Sequence, residues 1–313
     1  MHVLVTGADG FVGQHLISHL VAAGDTVATT STDIVDRDAV IAEFSGSGAD
    51  AVYHLAAQAD VGGSWDRPVQ TLRVNAEGTM NVLDAARLAG IGRVLAVTSA
   101  DIYGMIETAD LPLRETQPLR PVSPYAASKA AADMICLQAF LGHGLDVVRV
   151  RSFNHLGPGQ GANFVASAIA SRIAECERTG RSAVRVGNLE ARRDFTDVRD
   201  VVRAYRALMT DGRGGEAYHV CSGTDRSVRE LAGIFVNQST APVELVVDPD
   251  LFRPVDLKVL RGDNTKTRHQ TGWSPNIPIE STLEDLLNYW RQRAAESPES
   301  ATPAPGDQSK ETS

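Results

Sequence analysis

The chain has 313 residues, of which 43% are hydrophobic and 22% charged, a balance typical of a globular protein with one large or two closely packed domains. Its formal net charge of −9 argues against a nucleic-acid partner, because nucleic-acid phosphates repel a negative surface. No apolar run approaches the roughly 18 residues of a membrane helix, and the first residues lack the basic segment of a secretory signal. The three cysteines lie far apart, which predicts reduced thiols in the cytoplasm and no metal site.

Short apolar runs alternate with longer amphipathic stretches through the first half of the chain, as in β-α-β units with a parallel sheet. Strands are predicted, in chain order, over residues 2–6, 26–29, 51–56, 93–99 and 146–151. Helices are predicted over residues 11–23, 68–89 and 125–141. The pattern predicts an α/β fold, namely a Rossmann-type doubly wound parallel sheet with a smaller mixed α/β substrate-binding domain.

The strict alternation ends after about residue 153, where Gly157, Pro158 and Gly159 cluster. We predict a dinucleotide-binding Rossmann domain over residues 1–153 and a mainly substrate-binding domain over residues 154–293. Some later segments are expected to return to the first domain. Residues 294–313 are rich in Pro, Ser, Ala and Glu, a composition that predicts a disordered tail.

The first predicted strand leads into a glycine-rich turn with the spacing G-x-x-G-x-x-G. Glycines let the backbone approach a pyrophosphate, whose charge then lies at the start of a helix. A glycine motif alone carries a false-positive risk, but this one follows a predicted strand and precedes a predicted helix. The residues expected to bind a dinucleotide here are Gly7, Gly10, Phe11, Val12 and Gly13.

The end of the second predicted strand, Thr30-Ser31-Thr32, bears on the identity of the cofactor. An NAD enzyme usually places an acidic side chain there to bind the ribose 2′-hydroxyl, whereas an arginine accommodates a 2′-phosphate. Neither residue type is present at these three positions. We favour NADP(H), with NAD(H) as the alternative.

A Tyr-x-x-x-Lys motif is formed by Tyr125 and Lys129 within a predicted helix. Residues four apart share one face of a helix, so the ammonium is expected close to the phenol. A phenol has a pKa of about 10, and we expect the positive charge to lower that pKa, so that Tyr125 can act as an acid or base. The chain has 26 arginines but only four lysines, which makes a lysine at this position notable.

Ser99 ends the fourth predicted strand, and Asp101 follows it two residues later. The carboxyl ends of parallel strands face the ligand crevice, so both side chains are expected to face a substrate. The hydroxyl of Ser99 can hold a substrate oxygen that changes its oxidation state. We therefore predict Ser99, Tyr125 and Lys129 as the catalytic residues.

These motifs together resemble the extended short-chain dehydrogenase/reductase family, also called the NAD-dependent epimerase/dehydratase family, over about residues 1–293. In this family the Ser/Thr in the place of Ser99 is catalytic. The residues that the resemblance places around the adenosine of the cofactor are Asp33, Ile34, Leu55, Ala56 and Ala57.

The second half of the chain is similar to GDP-6-deoxy-D-mannose reductases at residues 151–160, 186–200 and 252–254. This resemblance implies a homodimer that reduces GDP-4-keto-6-deoxy-D-mannose at C4 to GDP-D-rhamnose. Guanidinium groups offer paired donors for phosphate oxygens, so arginines would hold the diphosphate. The substrate contacts implied by the resemblance, beside Ser99 and Asp101, are Asn154, Asn188, Arg193 and Arg253.

Three other functions remain open from the sequence. A GDP-mannose 4,6-dehydratase needs a carboxylate base to remove the C5 proton, and related dehydratases carry Glu where this chain has Asp101. A nucleotide-sugar 4-epimerase needs only the Ser, Tyr and Lys residues with tightly bound NAD. A non-catalytic NADPH-binding regulator could share the fold, but both Tyr125 and Lys129 are present, which argues against it.

Overall fold

The protein is described from a computed structural model that covers residues 1–252 and 255–296. A six-stranded sheet lies at its centre. Its strands, numbered along the whole chain, are β1 (His2–Thr6), β2 (Thr26–Thr30), β3 (Ala51–His54), β4 (Arg93–Ser99), β5 (Asp146–Ser152) and β9 (Ala217–Val220). The strand order is β2-β1-β3-β4-β5-β9, and every pair is parallel.

Helices cover both faces of this sheet. Those on one face are α1 (Phe11–Ala22), α7 (Val198–Asp211) and α9 (Thr265–Thr271). Those on the other face are α2 (Arg37–Ser47), α4 (Gly78–Leu88) and α5 (Pro124–His143). A parallel sheet buried on both faces needs apolar side chains on both, which explains the continuous apolar runs of its strands.

The side chains of strand β1 alternate between the two faces of the sheet. Val3 and Val5 pack in one core with Leu16 of α1 and with residues of α7. Leu4 points to the opposite face and packs in a second core with Phe44 of α2. Successive strand residues point to opposite faces, so one short strand contributes to two cores.

The predicted helix over residues 68–89 is present but changes geometry along its length. It consists of α3 (Pro68–Leu72), a π-helical segment (Arg73–Glu77) and α4. Asn75 lies in the π-helical segment, and its amide donates to Ser128 Oγ of α5 at 2.8 Å. The departure from α-helical geometry thus coincides with a buried polar contact between this helix and α5.

A second, smaller group of elements follows β5. Its strands are β6 (Asn154–Leu156), β7 (Ala183–Val186), β8 (Arg192–Asp197), β10 (Asp225–Ser227), β11 (Glu244–Val247) and β12 (Val259–Leu260). Its helices are α6 (Val165–Thr179), α8 (Val228–Gln238) and α10 (Ile279–Glu296). Strand β8 pairs with β10, β12 and β6, while β7 and β11 form a separate parallel pair. Ile169, Phe235 and Leu283 are buried where the three helices meet.

The predicted α/β fold with a doubly wound parallel sheet is confirmed. The sequence patterns missed α2 and β9. Strand β9 and helix α7 both follow residue 153, yet they pack with the central sheet, so no single boundary at residue 153 divides the fold.

The predicted disordered tail began at residue 294, which is wrong for residues 294–296. Helix α10 continues to Glu296, and Ala294 packs against the buried cluster that contains Ile169, Phe235 and Leu283. The rest of that tail, residues 297–313, lies outside the described residues.

Within residues 1–252 and 255–296, no helix has both the length and the apolarity to cross a bilayer. The same residues contain no group of three His, Cys, Asp or Glu side chains arranged to hold a metal ion. Cys136, Cys176 and Cys221 are buried free thiols.

Candidate active site

A cleft of about 640 Å³ runs along the carboxyl ends of β1, β4 and β5. In open α/β sheets this is where ligands bind. The predicted cofactor residues that line the cleft are Gly7, Gly10, Phe11, Val12, Gly13, Asp33, Ile34, Leu55, Ala56 and Ala57. The predicted catalytic and substrate residues that line it are Ser99, Asp101, Tyr125, Lys129, Asn154 and Arg193.

The glycine-rich turn brings the backbone to the floor of this cleft. Gly7 has a φ of 72°, and a Cβ there would lie 2.7 Å from the backbone nitrogen of Ala56. A Cβ on Gly13 would lie 2.2 Å from the carbonyl oxygen of Gly7. Gly10 precedes α1 and provides no side-chain cap, so the first backbone N–H groups of α1 are open to an anion. This geometry fits the diphosphate of a dinucleotide.

Three hydroxyl side chains at the end of β2 and just after it line the far end of the cleft, and Asp33 follows them. Thr30, Ser31 and Thr32 line it, and the Thr30 hydroxyl donates to Glu43 Oε2 of α2 at 2.5 Å. Ile34 lies beside them, and Asn81 of α4 donates to its carbonyl oxygen at 2.9 Å. Positions 30–32 carry hydroxyl groups only, and the Asp33 side chain lines the cleft beside them.

Tyr125 and Lys129 are placed by the start of α5. Ser123 caps this helix by accepting from the backbone N–H of Ala126 at 3.1 Å, and Pro124 occupies the first helical turn. The backbone N–H of Tyr125 donates in addition to Ser64 Oγ at 3.2 Å. Both side chains are buried and face the cleft.

The ionisation of the Tyr125 phenol differs from the expectation. Burial raises the pKa of Tyr125 well above its usual value, the negative charge of Asp101 raises it further, and a hydrogen bond with Ser99 opposes both effects. The prediction that Lys129 lowers this pKa is wrong for this structure. Burial lowers the pKa of Lys129 itself to about 8, and its ammonium donates to the carbonyl oxygen of Val97 at 3.1 Å.

Ser99 and Asp101 lie where β4 passes into a 3₁₀ turn (Ala100–Tyr103). The Ser99 hydroxyl accepts from the backbone N–H of Asp101 at 3.1 Å, which fixes the start of this turn. The turn ends at Gly104, whose φ is 65°; a Cβ there would lie 1.7 Å from the carbonyl oxygen of Arg120. The hydroxyl and the carboxylate thus enter the cleft from one short, sterically fixed turn.

The substrate residues implied by the resemblance are only partly brought together. Arg193 of β8 lines the cleft, and its guanidinium donates to Asp256 Oδ1 at 2.7 Å. Asn188 is not among the residues that line the cleft, and it donates to the other oxygen of Asp256 at 2.7 Å. Arg253 lies outside the described residues, and Asn154 lines the cleft at the start of β6.

Several residues that line the cleft were not expected. Tyr205 of α7 donates through its hydroxyl to Ser152 Oγ at 3.1 Å, and no sequence motif indicates this contact. The ring of His155 stacks on the ring of Phe11, with centroids 6.1 Å apart. Gln160 also lines the cleft; it belongs to the segment 151–160 that carried the resemblance, which was the available signal.

The chain matches the model of one protein family, described as GDP-mannose 4,6 dehydratase, over residues 25–286. It belongs to the GDP-mannose 4,6-dehydratase family. The predicted membership of the epimerase/dehydratase kind of enzyme is therefore confirmed.

Proteins with different activities are similar to the chain. GDP-6-deoxy-D-mannose reductase from Pseudomonas aeruginosa is 37% identical over 301 residues, which cover 94% of this chain and 98% of that protein. UDP-glucose 4-epimerase from Mycolicibacterium smegmatis is 31% identical, covering 94% of this chain and all of that protein (100%). Family membership alone therefore leaves the reaction to be argued from the site.

Solved structures agree with the fold. The structure of RMD from Pseudomonas aeruginosa complexed with NADPH has a TM-score of 0.86 and 35% identity, covering 94% of this chain and 100% of that one. A UDP-glucose 4-epimerase from Thermotoga maritima, solved with UDP-glucose, has a TM-score of 0.87 and 26% identity, covering 94% of this chain and 99% of that one.

Proposed function

We propose that the protein is an NADP(H)-dependent oxidoreductase that reduces GDP-4-keto-6-deoxy-D-mannose at C4 to GDP-D-rhamnose, with NAD(H) as the alternative cofactor. The observation that carries the proposal is the single cleft in which Ser99, Tyr125 and Lys129 face the glycine-rich turn. The 37% identity to a GDP-6-deoxy-D-mannose reductase supports the choice of substrate, and the relative bound to NADPH supports the choice of cofactor.

The site suits a reduction because its phenol keeps its proton. When bound, the reduced nicotinamide supplies the hydride for C4. Tyr125 then donates its proton to the oxygen on C4, and the Ser99 hydroxyl hydrogen-bonds the same oxygen. The raised pKa of Tyr125 keeps it protonated at neutral pH, which suits a proton donor. Lys129 retains its charge below a pKa of about 8 and can hold the ribose of the cofactor.

The substrate contacts are part of the proposal. Arg193 and Asn154 line the cleft and would contact the diphosphate and the sugar. In this proposal Asn188 acts through Asp256, whose carboxylate it shares with Arg193. Arg253 would add a second guanidinium at the diphosphate.

A 4,6-dehydratase is the competing function, because the family model carries that name and Asp101 lines the cleft. That reaction begins by oxidising a hydroxyl at C4, for which the phenol must accept a proton. Removal of the C5 proton then needs a carboxylate base, and Asp101 is one methylene shorter than the Glu of related dehydratases. The 37% identity to a GDP-6-deoxy-D-mannose reductase favours reduction.

The proposal includes a cytoplasmic homodimer. The buried free thiols support a reducing compartment. Four apolar side chains are exposed on the neighbouring helices α3, α4 and α5 and could meet a second copy: Val69, Met80, Met134 and Leu141.

Substitution of one of these residues tests the interface. Met134→Asp should lower the molar mass measured by light scattering, whereas Val21→Asp on α1, at the opposite face of the sheet, should not. An unchanged mass for Met134→Asp would contradict this interface.

The decisive experiment is to mix the protein with NADPH and GDP-4-keto-6-deoxy-D-mannose and follow the loss of NADPH absorbance. We expect rapid oxidation, with GDP-D-rhamnose as the product. If a folded protein that binds NADPH leaves this substrate unchanged, the reductase proposal is wrong. GDP-mannose, tested next, would report a dehydratase by the appearance of the 4-keto sugar.

A further inference from the structure

A buried cluster of charged side chains lies behind the cleft and takes no part in the proposed reaction. Asp133 is fully buried (0% exposed) on α5, and Arg149 and Arg151 are nearly buried on β5. Asp133 follows Lys129 by four residues and Tyr125 by eight, so the three side chains share one stripe of the helix. The carboxylate therefore extends the catalytic face of α5 into the interior.

Arg151 connects this stripe to the turn that follows Ser99. Its Nε and one terminal nitrogen donate to the two carboxylate oxygens of Asp133 at 3.0 and 2.8 Å. The other terminal nitrogen donates to the Tyr103 hydroxyl and to the carbonyl oxygen of Glu115, each at 2.8 Å. Tyr103 is the last residue of the 3₁₀ turn, and its hydroxyl lies 2.6 Å from His219 Nε2.

We propose that Arg151 is a positioning residue, which sets the place of the Ser99 turn relative to the Tyr125–Lys129 face of α5. The inference rests on the proposed function, in which the Ser99 hydroxyl and the Tyr125 phenol must reach one oxygen. Arg151 touches neither the cleft nor these two side chains, so it acts through Asp133 on one side and Tyr103 on the other.

Geometry is a better explanation of this pair than stability. A buried ion pair loses its hydration, and well-packed apolar side chains in its place are often as stable or more so. Apolar contacts do not fix the relative orientation of two side chains. A guanidinium does, because its N–H donors lie in one plane at fixed angles. Four of its directed bonds join three separate segments here, and two of those segments carry the proposed catalytic groups.

Arg149 belongs to the same cluster but is directed away from the turn. Its guanidinium donates to Asp133 Oδ1 at 2.6 Å and to the carbonyl oxygen of Gly215 at 2.8 Å. Thr98, which precedes Ser99, adds a weaker contact to Asp133 at 3.3 Å. Arg151 is thus the member of the cluster that holds the far end of the turn.

The test compares Arg151→Lys with Arg93→Lys. Arg93 is a matched control at the other end of β4, where it donates to Asp146 and to the carbonyl oxygens of Met209 and Gly212. In each variant an ammonium replaces a guanidinium that makes several hydrogen bonds. For Arg151→Lys we expect kcat for the reduction to fall by about 100-fold, because small misplacements of reacting groups have effects of that size. KM and the Kd for NADPH should stay unchanged, and Arg93→Lys should keep the wild-type kcat.

Equal kcat losses in the two variants, or an Arg151→Lys variant with wild-type kcat, would overturn the inference. If Arg151→Lys does not fold, Tyr103→Phe removes the hydroxyl that bonds both Arg151 and His219, and it should lower kcat at unchanged KM. A wild-type kcat for that variant would overturn the inference as well.

A crystal structure of Arg151→Lys, or of Tyr103→Phe if the former does not fold, separates this inference from the proposed function. We expect the Ala100–Tyr103 turn to move away from α5 and the Ser99–Tyr125 contact to lengthen. An unmoved turn contradicts the positioning role whatever reaction the protein catalyses. Failure of the wild type to reduce the 4-keto sugar contradicts only the proposed function.

Discussion

Burial acts in opposite directions on the pKa values of Tyr125 and Lys129, because it disfavours the charged form of each group. It raises the pKa of the Tyr125 phenol and lowers the pKa of Lys129 to about 8. At neutral pH both side chains keep their protons. One residue is then ready to donate a proton, and the other remains a cation beside the expected ribose.

Removing the Tyr125 hydroxyl should abolish most turnover. In Tyr125→Phe we expect kcat to fall by about 10² to 10⁴, the usual contribution of general acid catalysis. The Kd for NADPH, measured by fluorescence titration, should be retained. The matched control is Tyr53→Phe, which removes a buried hydroxyl that has no hydrogen-bond partner and lies outside the cleft. Equal loss of cofactor binding and turnover in Tyr125→Phe would mean that this tyrosine is structural.

The pKa of Lys129 predicts an alkaline decline of activity. As the pH rises through about 8 the ammonium loses its charge, so kcat/KM should fall, while Tyr125, with its raised pKa, is still protonated. The measurement is the rate of NADPH oxidation from neutral to alkaline pH. In Lys129→Arg the guanidinium stays charged, so any residual activity should lack this decline. The same decline in that variant would assign it to another group.

At the scale of elements, the glycine-rich turn depends on contacts between backbones and leaves no room for a side chain. A Cβ on Gly13 would lie 2.2 Å from the Gly7 oxygen and 2.6 Å from the Ala8 oxygen, and neither backbone atom can rotate away. Helix α1 approaches the backbone of Gly7 and Ala8 this closely because position 13 is glycine. The turn is therefore sensitive to the addition of one methyl group.

Gly13→Ala should weaken or abolish NADPH binding, because α1 must shift away from the turn that we propose as the diphosphate site. Gly233 provides the control: it lies within α8, and a Cβ there would meet no atom within 4 Å. Gly233→Ala should raise the free energy of unfolding by about 0.5–1 kcal/mol, as alanine favours a helix over glycine. Calorimetry and NADPH titration of both variants test this pair. Wild-type NADPH affinity in Gly13→Ala would show that the turn can accommodate a Cβ at position 13 without loss of the binding site.

The sequence predicts the elements whose residues carry a strong pattern and misses those that depend on tertiary contacts. The bounds of β1 and β4 agree with the prediction, because continuous apolar runs and a flanking glycine or serine define them. Helix α2 was missed since it buries only Val40 and Phe44. Strand β9 has four residues, and nothing in those residues indicates pairing with β5.

The candidate site was predictable where motifs are contiguous in sequence. Tyr125, Lys129 and the glycines all line the cleft as expected, and their roles stay predictions. The pairing of Asn188 and Arg193 with Asp256 joins positions more than 60 residues apart, which local spacing cannot indicate. The direction of the Tyr125 pKa shift also required the structure, because burial and the charge of Asp101 both raise this pKa.

At the scale of the whole molecule, Asp194 joins three segments that are distant in sequence. Its carboxylate accepts from the backbone N–H groups of Ser222 and Gly223 at 2.7 and 2.9 Å, and from that of Gly262 at 3.3 Å. Burial nevertheless raises its pKa to about 6, above the value of 3.8 expected in the unfolded chain. The strand β8 and the loops around it thus share one buried acid whose protonation is linked to folding.

A raised pKa means that the folded state binds the proton more tightly than the unfolded state. The stability from Asp194 is therefore fully present below pH 3.8 and is lost as the pH rises through about 6. Relative to Asp194→Asn, the free energy of unfolding of the wild type should fall by about 3 kcal/mol from acidic to neutral pH. Urea unfolding of both proteins across this range measures it. If the stability of the wild type relative to Asp194→Asn instead rises with pH, the hydrogen bonds to the carboxylate outweigh burial and lower the pKa of Asp194.

The return of the chain to the central sheet at β9 limits how this protein can be recombined. A fragment ending at residue 153 would lack β9 and α7, leaving β5 as an open edge and baring Val148 and Val150, which α7 helps to cover. Such a fragment should aggregate, however complete its nucleotide turn. A chimera that takes the segments after residue 153 from a relative must therefore retain the native α7 and β9, and graft the intervening segments as separate pieces. The two parts of the fold cannot be exchanged independently, because the chain passes from one to the other more than once.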